Sequence, residues 1–147
     1  MPIAACCTTK EIAEAFGSGT HGSTYGGHPV ACAAALASIS EILDKDLSGN
    51  AKAVGEYMVE QMAKLPHVKE ARGRGLLVGC EYDLPIALEV KWGCMRRHAL
   101  ITAIGSSVNR MIPPLIATKE DVDKLMGIME ESINEAVEKY QKLTKAA

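Results

Sequence analysis

Apolar residues at helical spacing run from Pro29 to Asp44, where Val30, Ala33, Ala34, Leu36 and Ala37 crowd one side and Ile39, Ile42 and Leu43 extend it. Pro29 suits the first helical position, where its missing N–H costs nothing. The alanine-rich first half lets another backbone come close, which predicts a buried or interfacial helix. Ser48 or Asn50 is expected to cap a second helix reaching about Leu65, with Val54, Tyr57, Met58, Met62 and Leu65 on its inner side. From His67 to Tyr82 the pattern changes. Val68, Ala71 and Leu76-Leu77-Val78 read as two strands joined near Gly73-Arg74-Gly75. Pro85 starts another helix carrying Ile86, Val90 and Cys94, and two more short strands are predicted at Leu100–Ala103 and Val108–Ile112, separated by Gly105-Ser106-Ser107. Pro113-Pro114 ends the last strand. Thr118 with Asp121 three residues on forms a capping pattern, and Val122, Leu125, Met129, Ile133 and Val137 mark the inner face of a long final helix.

The predicted order from Pro29 is therefore helix, helix, strand pair, helix, strand pair, helix. Strand pairs with short connections give an antiparallel or mixed sheet with helices packed on one face, an α+β fold. Residues 1–28 do not follow this pattern. They comprise an apolar, strand-like opening at Met1–Cys7, a short polar helix around Thr9–Phe16 and a glycine-rich loop. They look like the tail of a preceding domain, so the expected division is 1–28 and 29–147. The chain has no internal repeat and no low-complexity segment.

With 147 residues, 48% hydrophobic and 23% charged, the composition is that of an ordinary globular domain. A net charge of -2 argues against a nucleic-acid surface. No apolar run approaches a membrane span, and the N-terminus lacks the layout of a secretory signal. Five cysteines, with Cys6 and Cys7 adjacent, form no even framework and no C-x-x-C pair, which reads as reduced thiols in a cytoplasmic protein. The four histidines show no metal-ligand spacing, so no metal site is expected.

The chemistry concentrates in Gly19-Thr20-His21-Gly22-Ser23-Thr24-Tyr25-Gly26-Gly27-His28-Pro29. Glycines admit close approach of backbone amides, Ser23, Thr24 and Tyr25 add hydroxyls, and a helix N-terminus follows. Together these are the parts of a phosphate cradle. The same residues would also serve as a flexible polar loop capped by a helix. Gly17-Ser18-Gly19-Thr20-His21-Gly22 matches G-x-G-x-x-G, but a short helix precedes it and more loop follows, whereas the dinucleotide fingerprint needs a strand before and a helix after. The P-loop pattern fails for want of Gly-Lys-Ser/Thr.

Three motifs carry a resemblance: His21-Gly22-Ser23-Thr24-Tyr25-Gly26-Gly27-His28-Pro29 followed by Ala31-Cys32-Ala33-Ala34-Ala35; Arg72-Gly73-Arg74-Gly75-Leu76-Leu77-Val78-Gly79; and Arg110-Met111-Ile112-Pro113-Pro114-Leu115. In order and approximate spacing the chain resembles the C-terminal portion of class III pyridoxal-phosphate aminotransferases of the acetylornithine/ornithine type. The resemblance implies the small C-terminal domain of a fold-type I pyridoxal-phosphate enzyme, preceded by the end of the large domain with its phosphate loop. It implies a parent reaction moving an amino group from an acetylornithine, ornithine or succinylornithine substrate to 2-oxoglutarate, in amino-acid metabolism such as arginine biosynthesis. It implies a cofactor site shared between the two subunits of a homodimer, or association with the missing N-terminal part. Ser23 and Thr24 match the positions that reach a cofactor phosphate across the dimer. Arg110 matches the arginine that meets a substrate carboxylate or an acidic partner, a role suited to the guanidinium fork. An ordinary surface salt bridge is the alternative for Arg110.

The departures are as informative. The family's Schiff-base lysine precedes a segment whose end corresponds to Met1-Pro2-Ile3-Ala4-Ala5, and Lys10 does not align with it. The stacking aromatic and the pyridine-nitrogen aspartate have no counterpart here either. Ala4 stands where glycine is usual, and His28 where the ornithine branch commonly has asparagine. No catalytic residue is therefore assigned, no covalently bound cofactor is expected, and the isolated chain is expected to be inactive. Two further readings stay open. One is a non-catalytic dimerisation or complementation module derived from such an enzyme. The other is an independent binder of phosphorylated small molecules using residues 17–28.

Overall fold

The computed structural model describes residues 2–146. The chain divides into two units, Met1–Lys45 and Asp46–Ala147. The division falls after the first long helix, and the sequence boundary at 28/29 lies inside the first unit.

In the first unit, the Thr9 hydroxyl accepts from the Ile12 amide at 3.5 Å and starts the one-turn helix α1 (Lys10–Ala13). Residues 2–9 form neither strand nor helix. The strand-like reading of the opening fails over its described residues, Met1 lying outside them, because a strand needs a partner and all described pairing is in one sheet of the second unit. Helix α2 (Pro29–Asp44) has the predicted bounds, with Pro29 in its first turn. Of the expected alternatives, buried or interfacial, burial within the chain is not what is seen. Ala31 is its buried residue, while Val30, Leu36, Ile39 and Leu43 are all more than half exposed.

The second unit opens on Asp46, in left-handed backbone at φ 45°, a conformation that short polar side chains tolerate. Its carboxylate accepts from the Gly49 amide at 3.2 Å and caps α3 (Leu47–Met62). The cap is therefore neither Ser48 nor Asn50, both of which lie inside the helix. Asn50 instead donates to the carbonyls of Leu115 and Ala117, at 2.7 and 3.0 Å. Leu65 falls in the turn after α3, where its amide bonds the Met62 carbonyl.

β1 (Val68–Arg74), β2 (Leu77–Tyr82), α4 (Ala87–Arg96), β3 (Thr102–Ile104) and β4 (Val108–Met111) follow. The four strands form one antiparallel sheet in the order β1-β2-β4-β3. α4 starts two residues after Pro85, and β3 starts at Thr102, so Leu100 and Ile101 lead into the strand without pairing. Val78, Cys80, Tyr82, Asn109 and Met111 point inward and are buried beneath α3 and α4, whereas Leu77, Arg110 and Thr102 face out. The final helix α5 (Lys119–Ala146) packs along α3 and α4 and brings Val122, Met126, Met129 and Ile133 into the core. Its start is the expected capping box. The Thr118 hydroxyl accepts from the Asp121 amide at 3.2 Å, and the Asp121 carboxylate accepts from the Thr118 amide at 3.1 Å. The result is an α+β layer structure, an antiparallel sheet with helices on one face.

One polar side chain sits at the centre of this core. Asn109 is fully buried. Its Oδ1 accepts from the Tyr82 hydroxyl at 2.9 Å, and its Nδ2 donates to the carbonyls of Ala87 and Thr102 at 3.0 and 3.3 Å. It thereby ties β4 to β2, to β3 and to the start of α4.

Candidate functional site

In the first unit, the loop ahead of α2 is shaped by two tight turns. The Thr20 amide and hydroxyl both bond the Gly17 carbonyl, at 3.2 and 2.8 Å, and the Gly26 amide bonds the Ser23 carbonyl at 3.3 Å. Gly19 and Gly27 take φ of 81° and 70°, which side-chain-bearing residues rarely adopt. Ser23, Thr24 and Tyr25 are exposed, and neither the Ser23 nor the Thr24 hydroxyl bonds a group among the described residues. The His28 side chain makes no cap hydrogen bond to α2. The two hydroxyls are thus free of bonds among the described residues, and the start of α2 carries no side-chain cap.

In the second unit, register decides what surrounds Arg110. Arg72 pairs with Gly79, Gly79 with Arg110, and Arg110 with Thr102, so these four residues form one row across the uncovered face of the sheet. With strands roughly 4.8 Å apart, the Arg72 and Arg110 backbones are separated by roughly 10 Å, with glycine between them. Arg72 is engaged: its Nη1 lies 2.9 Å from Glu70 and 3.0 Å from Glu81. Glu81 also meets Lys69 at 3.0 Å, and Lys69 together with Arg72 holds its carboxyl below the usual carboxylate range. Arg110 is exposed and makes no ion pair or side-chain hydrogen bond among the described residues. Around it lies an open depression of about 430 Å³, lined by Arg72, Leu77, Gly79, Ile104 and Val108 among others. A larger groove of about 770 Å³ between α3 and the β1–β2 turn carries Lys52, Glu56 and Arg74 and contains none of the residues predicted from sequence.

Ser23 and Thr24 are thus neighbours in the first unit's loop, and Arg110 stands on the second unit's sheet. Sequence reasoning missed Gly79 and Asn109. An asparagine at an inward position of an alternating strand was the available signal for Asn109. Gly79 closes the Arg72–Gly79 motif, but its place beside Arg110 follows only from the pairing of β2 with the distant β4. Among the described residues no three His, Cys, Asp or Glu side chains are grouped to hold a metal ion. No described helix is long and apolar enough to cross a membrane.

The sequence profile of the aminotransferase class-III family matches residues 1–133, and the chain belongs to that family. Its members depend on pyridoxal phosphate. The chain is 37% identical over 139 residues to the acetylornithine aminotransferase of Caldanaerobacter subterraneus subsp. tengcongensis, a match that covers 92% of this chain and 35% of that protein. It is 39% identical over 128 residues to ornithine aminotransferase 2 of Staphylococcus aureus, covering 84% and 31%. Among solved structures, it matches the ornithine aminotransferase from Toxoplasma gondii, which has partial occupancy of pyridoxal phosphate at its active site, with a TM-score of 0.78 and 30% identity over 89% of this chain and 32% of that one. It matches the acetylornithine aminotransferase from Elizabethkingia anophelis with a TM-score of 0.74 and 29% identity over 84% and 33%. The chain spans about a third of the length of these relatives.

Proposed function

We propose that this chain supplies the carboxylate-recognising small domain and a phosphate-contacting loop of a pyridoxal-phosphate aminotransferase acting on an ornithine-type amino donor, with 2-oxoglutarate as acceptor. The observation that carries this reading is Arg110. It is an unpaired guanidinium on the open sheet face, as Arg74 is too, but Arg110 alone lies beside a row position without a side chain and inside Arg110-Met111-Ile112-Pro113-Pro114. A guanidinium binds a carboxylate through two parallel hydrogen bonds and fixes its orientation. Ser23 and Thr24 are the residues that would hold the cofactor phosphate, in a partner subunit of a homodimer, and residues 1–28 would be the end of the large domain. When bound, pyridoxal phosphate supplies the electron sink for amino-group transfer. This chain's share is to bind and orient. Arg110 sets where the substrate's carboxylate sits, the hydroxyls anchor phosphate, and no residue of the chain is assigned to moving the proton. We place the assembled enzyme in the cytoplasm.

The test is Arg110→Lys in the enzyme assembled with the large-domain portion that its relatives carry. Lysine keeps the charge and loses the fork. KM for the carboxylate substrate should rise with a smaller change in kcat, a loss of about 1.5–3 kcal/mol or roughly ten- to a hundredfold in kcat/KM. An unchanged kcat/KM in both half-reactions would make Arg110 a surface residue. One observation favours a second reading, a non-catalytic dimerisation or complementation module: α2 exposes Val30, Leu36, Ile39 and Leu43, the kind of apolar surface that association covers.

A further inference from the structure

We propose that Gly79 is a specificity-determining position: its missing side chain keeps open the floor between Arg72 and Arg110, so that a small aliphatic carboxylate lies against β2 and reaches the Arg110 guanidinium. This rests on the reading of Arg110 given above and adds to it what decides the size of the ligand.

A glycine inside a strand weakens it, because the backbone loses more freedom on folding and no side chain packs. Such a residue answers to one of three demands: left-handed backbone, close approach by the protein itself, or close approach by something else. Gly79 meets neither of the first two. The described glycines with positive φ are Gly19, Gly27, Gly75 and Gly105. A Cβ built on Gly79 would meet only the Arg72 carbonyl oxygen, at 3.8 Å, an ordinary contact. Gly73, in the preceding strand of the same hairpin, is the opposite case, since its Cβ would come within 2.7 Å of the Leu77 carbonyl oxygen. The protein therefore fills the space at Gly73 and leaves it empty at Gly79.

Charge and polarity identify what the space suits. Arg72 is held by Glu70 and Glu81 and acts as one wall, while Arg110 keeps its donors free for an anion. Arg74 stands at the β1 end of the depression, and the stretch beside Arg110 is apolar: Leu77 is 54% and Ile104 45% exposed, and Val108 is half-buried. A carboxylate on a short methylene chain matches both halves, with its charge on Arg110 and its chain along Leu77, Val108 and Ile104. A side chain at Gly79 would stand in the path between them.

The test is a titration of the isotope-labelled 147-residue chain with glutarate, followed by amide NMR, with neutral glutaramide as control. Saturable shifts are expected at Gly79 and Arg110 with glutarate only. Gly79→Val is expected to keep or raise thermal stability, since a β-branched residue suits a strand, while weakening glutarate binding by at least about tenfold. Gly79→Ala should fall between. If Gly79→Val melts at a lower temperature, the glycine serves the fold and the inference is overturned. If Gly79→Val binds like the parent while Arg110→Lys binds weakly, this inference fails and the Arg110 reading stands. If the parent shows no saturable shift, or its shifts survive Arg110→Lys, both fall.

Discussion

Replacing Asn109 by leucine should destabilise the second unit by about 2–4 kcal/mol, through unpaired polar groups and not through lost volume. Leucine branches at the same carbon as asparagine and carries as many heavy atoms with somewhat more bulk, so no cavity opens. What changes is the fate of three partners. The Tyr82 hydroxyl, 2% exposed as a residue, loses its acceptor at 2.9 Å. The carbonyls of Ala87 and Thr102 lose their donor. A buried group left without its hydrogen bond costs about 1–3 kcal/mol, and a carbonyl with a second lone pair falls at the low end. Burial, the largest cause, raises the Tyr82 pKa, so the phenol stays protonated and remains a donor across the accessible pH range. Tyr82→Phe should cost less, because it leaves only the Asn109 carbonyl oxygen short of one bond. The double variant should be milder than the sum of the singles by about 1 kcal/mol, since both ends of one bond are then gone. Urea unfolding measures this, with the midpoint falling and the slope unchanged. An Asn109→Leu variant within about 0.5 kcal/mol of the parent, or strict additivity with Tyr82→Phe, would refute the reasoning. The outcome bears on function, because Asn109 fixes the strand whose next residue is Arg110.

Gly55→Ala should also destabilise, by about 1–3 kcal/mol in the same assay, because its new methyl would collide with the Gly75 carbonyl oxygen where α3 crosses the β1–β2 turn, and backbone cannot swing aside. Full stability in that variant would show that α3 and the turn are not in close contact. Thiol labelling at neutral pH should separate the cysteines: Cys6 and Cys7 are exposed and should react at once, whereas Cys80 and Cys94 are buried, with the Cys80 thiol pushed up to about 11 by burial, and should react only on unfolding. Prompt reaction of Cys80 in the folded chain, read by mass spectrometry of the labelled peptides, would contradict the described core.

What the sequence reveals is what is encoded locally. The bounds of α2 follow from Pro29 and the apolar spacing behind it, and the capping box from Thr118 and Asp121, because in each case the interacting groups lie within one or two turns. The α+β class follows in the same way, from the order of elements. Sequence and structure part where the outcome depends on backbone conformation or on a partner strand. Asp46 caps α3 from left-handed backbone, which places its carboxylate on Gly49, and a search for the best capping residue among Ser48 and Asn50 does not see that geometry. A short apolar run cannot be judged without a neighbour to pair with, so Met1 to Cys7 reads as a strand and yet its described residues, 2–7, pair with nothing among the described residues.

The candidate site divides along the same line. Ser23 and Thr24 are legible because their loop is contiguous in sequence, and Arg110 because its proline pair follows closely. The residues that give Arg110 its surroundings are legible only after pairing. Gly73 and Gly79 lie in one stretch and are identical as letters, yet register sets them apart. Gly73 faces the Leu77 carbonyl and has no room for a side chain, while Gly79 lies between two arginines with room to spare. The same register turns Asn109 inward to the Tyr82 hydroxyl and Arg110 outward to solvent, since successive residues of a strand alternate faces. A slip of one residue in β4 would bury the guanidinium and expose the amide. The Asn109 hydrogen bonds work against that slip, because only in the observed register can one side chain reach the Tyr82 hydroxyl and both carbonyls. The polar group buried in the core and the charged group free at the surface are therefore two consequences of a single pairing choice.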